Sequence, residues 1–190
     1  MACKFQSYIK AVVFIILALS VFSSCNPYTP LLKARYQPIA GKSYIFGYFT
    51  MKGHPCNIGL VIENTDNKKN YIIKFTRIPQ ISLIEVEPGN YEITKYIGYT
   101  SINVATEEKY PSIWPFNVQF KVLPNGAYYL ADMAASFNQT NKSSGIREIT
   151  ITSIFDIETI KDNFEESRAL LLNKHAAMKN THICKAFLNP

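Results

Sequence analysis

The feature that most constrains this chain is an even alternation near its middle. In "FNVQFKV", Phe116, Val118, Phe120 and Val122 fall on one side, and Asn117, Gln119 and Lys121 on the other. Successive side chains of an extended strand point to opposite faces, so a period of two marks a strand with one buried face and one wet face. The same habit recurs from Lys42 onward. "KSYIFGYFTM" ends at "KGHP", "NIGLVIEN" ends at "TDNKKN", and "YIIKFTR" is followed by "ISLIEVE", which stops at "PGN". "YEITKYIGY" comes next, and beyond "FNVQFKV" the turn "PNG" leads into "AYYLADMA" and then "IREITITSIF". About eight strands at spacings of roughly 8–12 residues are the signature of a sandwich or barrel.

After Phe155 the pattern changes. "FDIETIKDNFEESRALLLNKHAAMKN" sets Ile157, Ile160, Phe164, Leu171 and His175 near one helical face. Asp156 is placed to cap the N-terminus, acids crowd the first turns, and Lys174 and Lys179 lie near the end. That charge order complements a helix dipole. The expectation is a β domain over residues 41–155 and one amphipathic C-terminal helix with a short tail over 156–190.

The N-terminus has a different logic. "MACKFQSYIK" carries Lys4 and Lys10 without an acid, and "AVVFIILALSVF" is uncharged and almost wholly apolar. A basic start, a short apolar core and small residues before a cleavage point make a secretory signal peptide, here residues 1–24. The apolar run falls short of the roughly 20 residues that a membrane-spanning helix needs. "FSSC", ending at Cys25, resembles the bacterial lipobox. The resemblance implies a mature chain that begins at Cys25 and carries a thioether-linked diacylglycerol. Two or more acyl chains anchor a protein stably, where a single one does not. Asn26 resembles the following position of lipoproteins sent to the outer membrane. Residues 25–40, with "NPYTPLLKARYQPIA" and its three prolines, read as a lipid-anchored tether that lifts the domain off the bilayer.

Charge excludes one class of partner. Loss of Lys4 and Lys10 with the leader lowers the net charge from +6 to +4, and the remaining basic residues are dispersed. No stripe of Lys and Arg interleaves with aromatics, so nucleic acid is not an expected partner.

Two further stretches carry a family resemblance. "LIEVEPGNYEI" looks like the Pro-Gly-x-Tyr corner of carboxypeptidase-regulatory-like and PEGA-like β-sandwich modules, here Pro88, Gly89 and Tyr91. "FKVLPNGAYYLADM" is similar to the next hairpin of small bacterial lipoproteins in that broad group, with Gly126, Tyr128 and Tyr129. The resemblance implies an immunoglobulin-like or prealbumin-like β-sandwich used for binding or scaffolding. Fold alone assigns no chemistry.

Candidate sites are few. Cys56 and Cys184 remain once Cys3 is removed and Cys25 is acylated, and an even pair in an oxidising compartment invites a disulfide. The same residues sit in "HPC" and "HIC", and His54, Cys56, His182 and Cys184 together would offer a tetrahedral zinc site. Unpaired thiols are the third possibility. In "KYPSIWPF", Tyr110 and Trp114 are candidates to stack on a sugar or fill a partner pocket from a loop. The alternative is that Trp114 caps the end of the core. No Gly-x-Ser-x-Gly, His-Glu-x-x-His or Walker-type loop occurs. The expected protein is therefore a non-catalytic envelope lipoprotein without a cofactor, binding a protein or cell-wall partner. A carbohydrate module built on the Trp114 loop is the alternative, and a zinc-dependent protein a remoter one.

Overall fold

The computed structural model describes residues 27–53, 57–99, 112–143 and 149–187. They form two β-sheets packed face to face, with a short helix on the outside of one of them. The strands are β1 (Ser43–Gly53), β2 (Asn57–Asn64), β3 (Lys69–Lys74), β4 (Ile81–Val86) and β5 (Gly89–Tyr99). They continue with β6 (Ser112–Val122), β7 (Gly126–Ser143), β8 (Ile149–Lys161) and β9 (His182–Lys185). One sheet runs β4-β1-β7-β8, with β9 also on β7, and the other runs β3-β2-β5-β6. β1 and β7 pair in parallel, while β1 with β4 and β7 with β8 are antiparallel. This is a prealbumin-like order, and the expected mainly-β sandwich with a C-terminal helix is the fold.

The core lies between the sheets and follows the period-two pattern. Ile45, Phe49 and Met51 of β1 face Ile58, Leu60 and Ile62 of β2, with Tyr91, Ile93 and Phe120 from the second sheet. Burying such side chains stabilises the fold by about 1.5–3 kcal/mol each before entropy is counted. Phe75 joins the sheets by edge-on contacts with Phe49 and Phe155, a favoured arrangement of aromatic quadrupoles.

The Pro-Gly corner is built from close contacts. A Cβ on Gly89 would come within 2.7 Å of the Asn64 amide and 2.8 Å of the Asp66 carboxylate, so the corner closes only around glycine. Asn64 is fully buried and folds its own turn by accepting from the Asp66 backbone N–H at 3.0 Å. Asp66 accepts from both the backbone and the side chain of Asn90, which holds its carboxyl below the usual range. Tyr91 then re-enters the sheet and its hydroxyl donates to the Glu87 carbonyl at 2.5 Å. In the "PNG" turn Asn125 takes the left-handed conformation at φ 61°, and its side chain accepts from Gly41 N–H at 2.7 Å.

The C-terminal region departs from expectation. The helix, α1, spans only Phe164–Lys174. Ile157 and Ile160 belong to β8, and Asp156 is a strand residue opposite Ser136 rather than a cap. The cause is a bulge. Ala134 pairs with Thr159 while Ala135 pairs with Ile157, which leaves Glu158 as the extra residue. One inserted residue turns a spacing of two into three, so Ile157 and Ile160 imitate helical periodicity within a strand. Asn163 occupies the cap position, where its carbonyl accepts from Ser167 N–H at 2.9 Å but its side chain makes no capping bond. Phe164 and Leu171 do pack inward, joining Tyr44, Phe46, Leu83 and Tyr129 in a second apolar layer outside the β1–β4 sheet, and His175 is buried at the helix end. Lys174 fastens the helix end by donating to the Ile81 carbonyl at 3.0 Å.

The segment expected as a tether is docked on the sandwich from Tyr28 to Tyr36. Residues 28–36 run as a strap across the β3–β4 side of the sandwich. Thr29 N–H donates to the Ile72 carbonyl of β3 at 2.9 Å, and Ile72 N–H donates to Thr29 Oγ1 at 2.8 Å. Leu32 N–H then donates to the Leu83 carbonyl of β4 at 2.9 Å. Leu31 packs against the inner core, Leu32 and Tyr36 against the outer layer, and the Tyr36 hydroxyl donates to Glu85. An edge strand exposes unpaired backbone groups, and the strap satisfies some of these on two edges at once. Tyr28 starts the strap on the outer face of the second sheet. It is seated where Gly59 lacks a Cβ, which would lie 2.9 Å from its ring.

Candidate functional site

The opposite side of the sandwich, between β6 and the β8–β9 edge, carries no such strap among the described residues. β7 pairs with β9 along Gly126–Tyr129 and with β8 along Asp132–Ser143, so Leu130 and Ala131 have neither strand beside them. The last rung before this gap is Ala186 N–H to the Tyr129 carbonyl at 2.8 Å. A cleft of about 500 Å³ opens there between the sheets. Its depth is formed by Ile93, Leu130 and Met133 of the core, and its walls by Val118, Ile160 and Phe187. Ile160 is 52 % exposed, a large apolar side chain left in solvent at the mouth. The volume falls in the roughly 300–1,000 Å³ range of small-molecule sites, which are typically apolar with a few polar groups.

Charge sits only at the rim. Lys185 and Asp162 form an ion pair at 2.5 Å, and the ammonium holds the Asp162 carboxyl below its usual range. Lys161 also lines the mouth, and among the described residues it enters no ion pair. Beneath the rim, a polar knot ties α1 to β7. Asp132 accepts from Ser167 Oγ at 2.7 Å, from Tyr129 at 3.0 Å and from Asn163 Nδ2 at 3.1 Å. Tyr129 in turn accepts from Asn163 N–H at 3.0 Å. Burial, helped by the neighbouring Asp132, pushes the Tyr129 hydroxyl well above the usual phenol range. With every partner engaged in holding the helix, this knot reads as structure.

The residues singled out from the sequence do not assemble at the cleft. Cys25, His54, Cys56 and Tyr110 lie outside the described residues. Trp114 is not in a loop: it belongs to β6, opposite Tyr96 of β5. The neighbouring Pro115 is accommodated because β6 is an edge strand with a register shift at that point. His182 and Cys184 lie two apart on β9, which had been expected to be tail. Cys184 is a free thiol among the described residues, and Cys56, its expected bridging partner, lies outside them. Burial raises the Cys184 thiol and a bond with Tyr128 pulls it partly back, which makes a poor nucleophile. Among the described residues no group of three metal-ligating side chains occurs.

The cleft was not legible in the sequence. Its lining comes from β5, β6, β7, β8, β9 and Phe187 two residues beyond β9, and no local motif links them. The one available signal was Ile160, an isoleucine between Thr159 and Lys161 at the end of a strand. No family model matches the chain, and no curated protein matches it.

Proposed function

We propose that this chain is a non-catalytic binding module of the bacterial cell envelope, held on the outer membrane by acyl chains on Cys25. The observation that carries the binding reading is the apolar cleft, which among the described residues opens on the side away from the strap. The anchor rests on the leader and the lipobox-like "FSSC". Docking of the chain from Tyr28 onward leaves only Asn26 and Pro27 as spacer after Cys25, so the domain lies against the bilayer rather than at the end of a long tether. Among the described residues no helix is long and apolar enough to cross a membrane.

Growth with labelled palmitate tests the anchor. The parent takes up label and partitions into detergent, and Cys25→Ser does neither. Equal labelling of the variant overturns the anchoring.

A further inference from the structure

We infer that the cleft between β6 and the β8–β9 edge binds a free single-chain amphiphile with an anionic head, of the fatty-acid class. This deepens the binding reading above by naming its ligand, and it does not depend on acylation of Cys25. The cleft is apolar without interruption, from the exposed Ile160 at its mouth to Leu130 and Met133, each 3 % exposed, at its depth. Charge appears only at the entrance. A molecule that is apolar along its length and charged at one end matches that distribution, because its head stays in water while the chain replaces solvent over apolar walls.

The sign of the head follows from the rim. Asp162 is neutralised by Lys185 at 2.5 Å, which leaves Lys161 as the rim charge without an ion pair among the described residues. A carboxylate head is attracted there and a quaternary ammonium head is repelled. The gap in strand pairing gives the chain its way in. Among the described residues no strand closes the edge beside Leu130 and Ala131, so entry needs no hydrogen-bonded rung of β8 or β9 to break. The strap lies across the sandwich, about three strand spacings or ~14 Å away, and does not obstruct it.

The test uses the exported full chain carrying Cys25→Ser, so that no covalent acyl chain competes. Displacement of the fluorescent fatty acid cis-parinarate by dodecanoate, below its micellar concentration, reads affinity. Dodecanol and dodecyltrimethylammonium serve as neutral and cationic controls. Dodecanoate binds saturably at one site per chain and more tightly than the cation. Val118→Trp plugs the cleft and weakens every binder by about tenfold or more, and Ile160→Glu does the same to dodecanoate if the tryptophan variant does not fold. Lys161→Glu weakens dodecanoate by about fivefold and leaves dodecanol unchanged, as expected of a rim charge. Absence of saturable dodecanoate binding, unchanged affinity in the plugging variants, or a response to anionic phospholipid vesicles alone overturns the proposal. The palmitate experiment is read separately, so loss of this site and loss of the anchor are distinguishable.

Discussion

The two open sides of this sandwich are finished in opposite ways. On the β3–β4 side the chain sews its own edges together, with Thr29 bonded to Ile72 of one sheet and Leu32 bonded to Leu83 of the other. On the β6–β8 side, among the described residues, the two sheets are left apart, and Ala186 and Phe187 after β9 fill part of the gap. A sandwich must cover its sides to keep its core dry, and the strap shows that this chain has the means to do so. That it leaves a cleft rimmed by lysine on the other side is the contrast from which the functional reading grows. Hydrogen bonds close the strapped side, and the surface available to a ligand lies on the other.

The largest effect that would break this contrast comes from the strap. Leu31 and Leu32 are half-buried, one against each apolar layer. Replacing both with aspartate removes about 2 kcal/mol of packing apiece and loosens the cover over two strand edges. The double variant is expected to lose about 3–4 kcal/mol in urea denaturation and to associate through the bared edges, which light scattering reads. Stability within 1 kcal/mol of the parent would mean that the strap is a passenger.

That strap also marks where sequence reasoning failed, and the failures share a cause. Eight strands were legible because each ends at its own turn chemistry and alternates in the same sense. "NPYTPLLKARYQ" has no period, and its prolines point to extended chain, which is as true of a docked strap as of a free tether. What separates the two is whether Leu31 and Leu32 meet a partner, and that partner lies in strands some forty and fifty residues further along. The Glu158 bulge misled in the same manner, since only pairing with Ala134 and Ala135 reveals why Ile157 and Ile160 are three apart. The four residues of β9 were too short for any periodicity to show. Local alternation is written locally; closure of the two sides depends on long-range partners, and the cleft is a product of closure.

A moderate effect sharpens the contrast by acid. His175 is 1 % exposed where α1 ends beneath the strap, and no hydrogen bond of normal geometry reaches either ring nitrogen. Burial lowers its pKa below the ordinary 6.5, and the Lys174 charge lowers it further, against a weaker pull from the Lys33 backbone. The folded state thus holds the imidazole neutral where the unfolded chain would protonate it. Its contribution is complete above about pH 6.5 and is lost as the pH falls below that value towards the lower folded one. One proton bound differently gives a slope of up to about 1.4 kcal/mol per pH unit. Hydrogen exchange between pH 7 and 5.5 should show α1 and the strap loosening before the strands that line the cleft. His175→Phe should flatten the response, and an unchanged slope in that variant would assign the acid sensitivity to other groups.

The smallest effect tests the contrast most closely, because it separates folding from binding at a single side chain. Ile160 stands at the end of β8 with half its surface in water, beyond the bulge and away from the fastened layer. Ile160→Ser removes an apolar wall of the cleft but little buried area, so its cost to folding should stay within about 0.5 kcal/mol. The same change narrows the apolar surface offered to a ligand and should weaken amphiphile binding measurably, with the thermal midpoint almost unmoved. A core residue behaves otherwise: Met133, on the same cleft but 3 % exposed, would lose stability along with binding if truncated to alanine. If Ile160→Ser destabilised the protein as much as Met133→Ala, the mouth of the cleft would be part of the core, and the open side would owe its shape to folding alone.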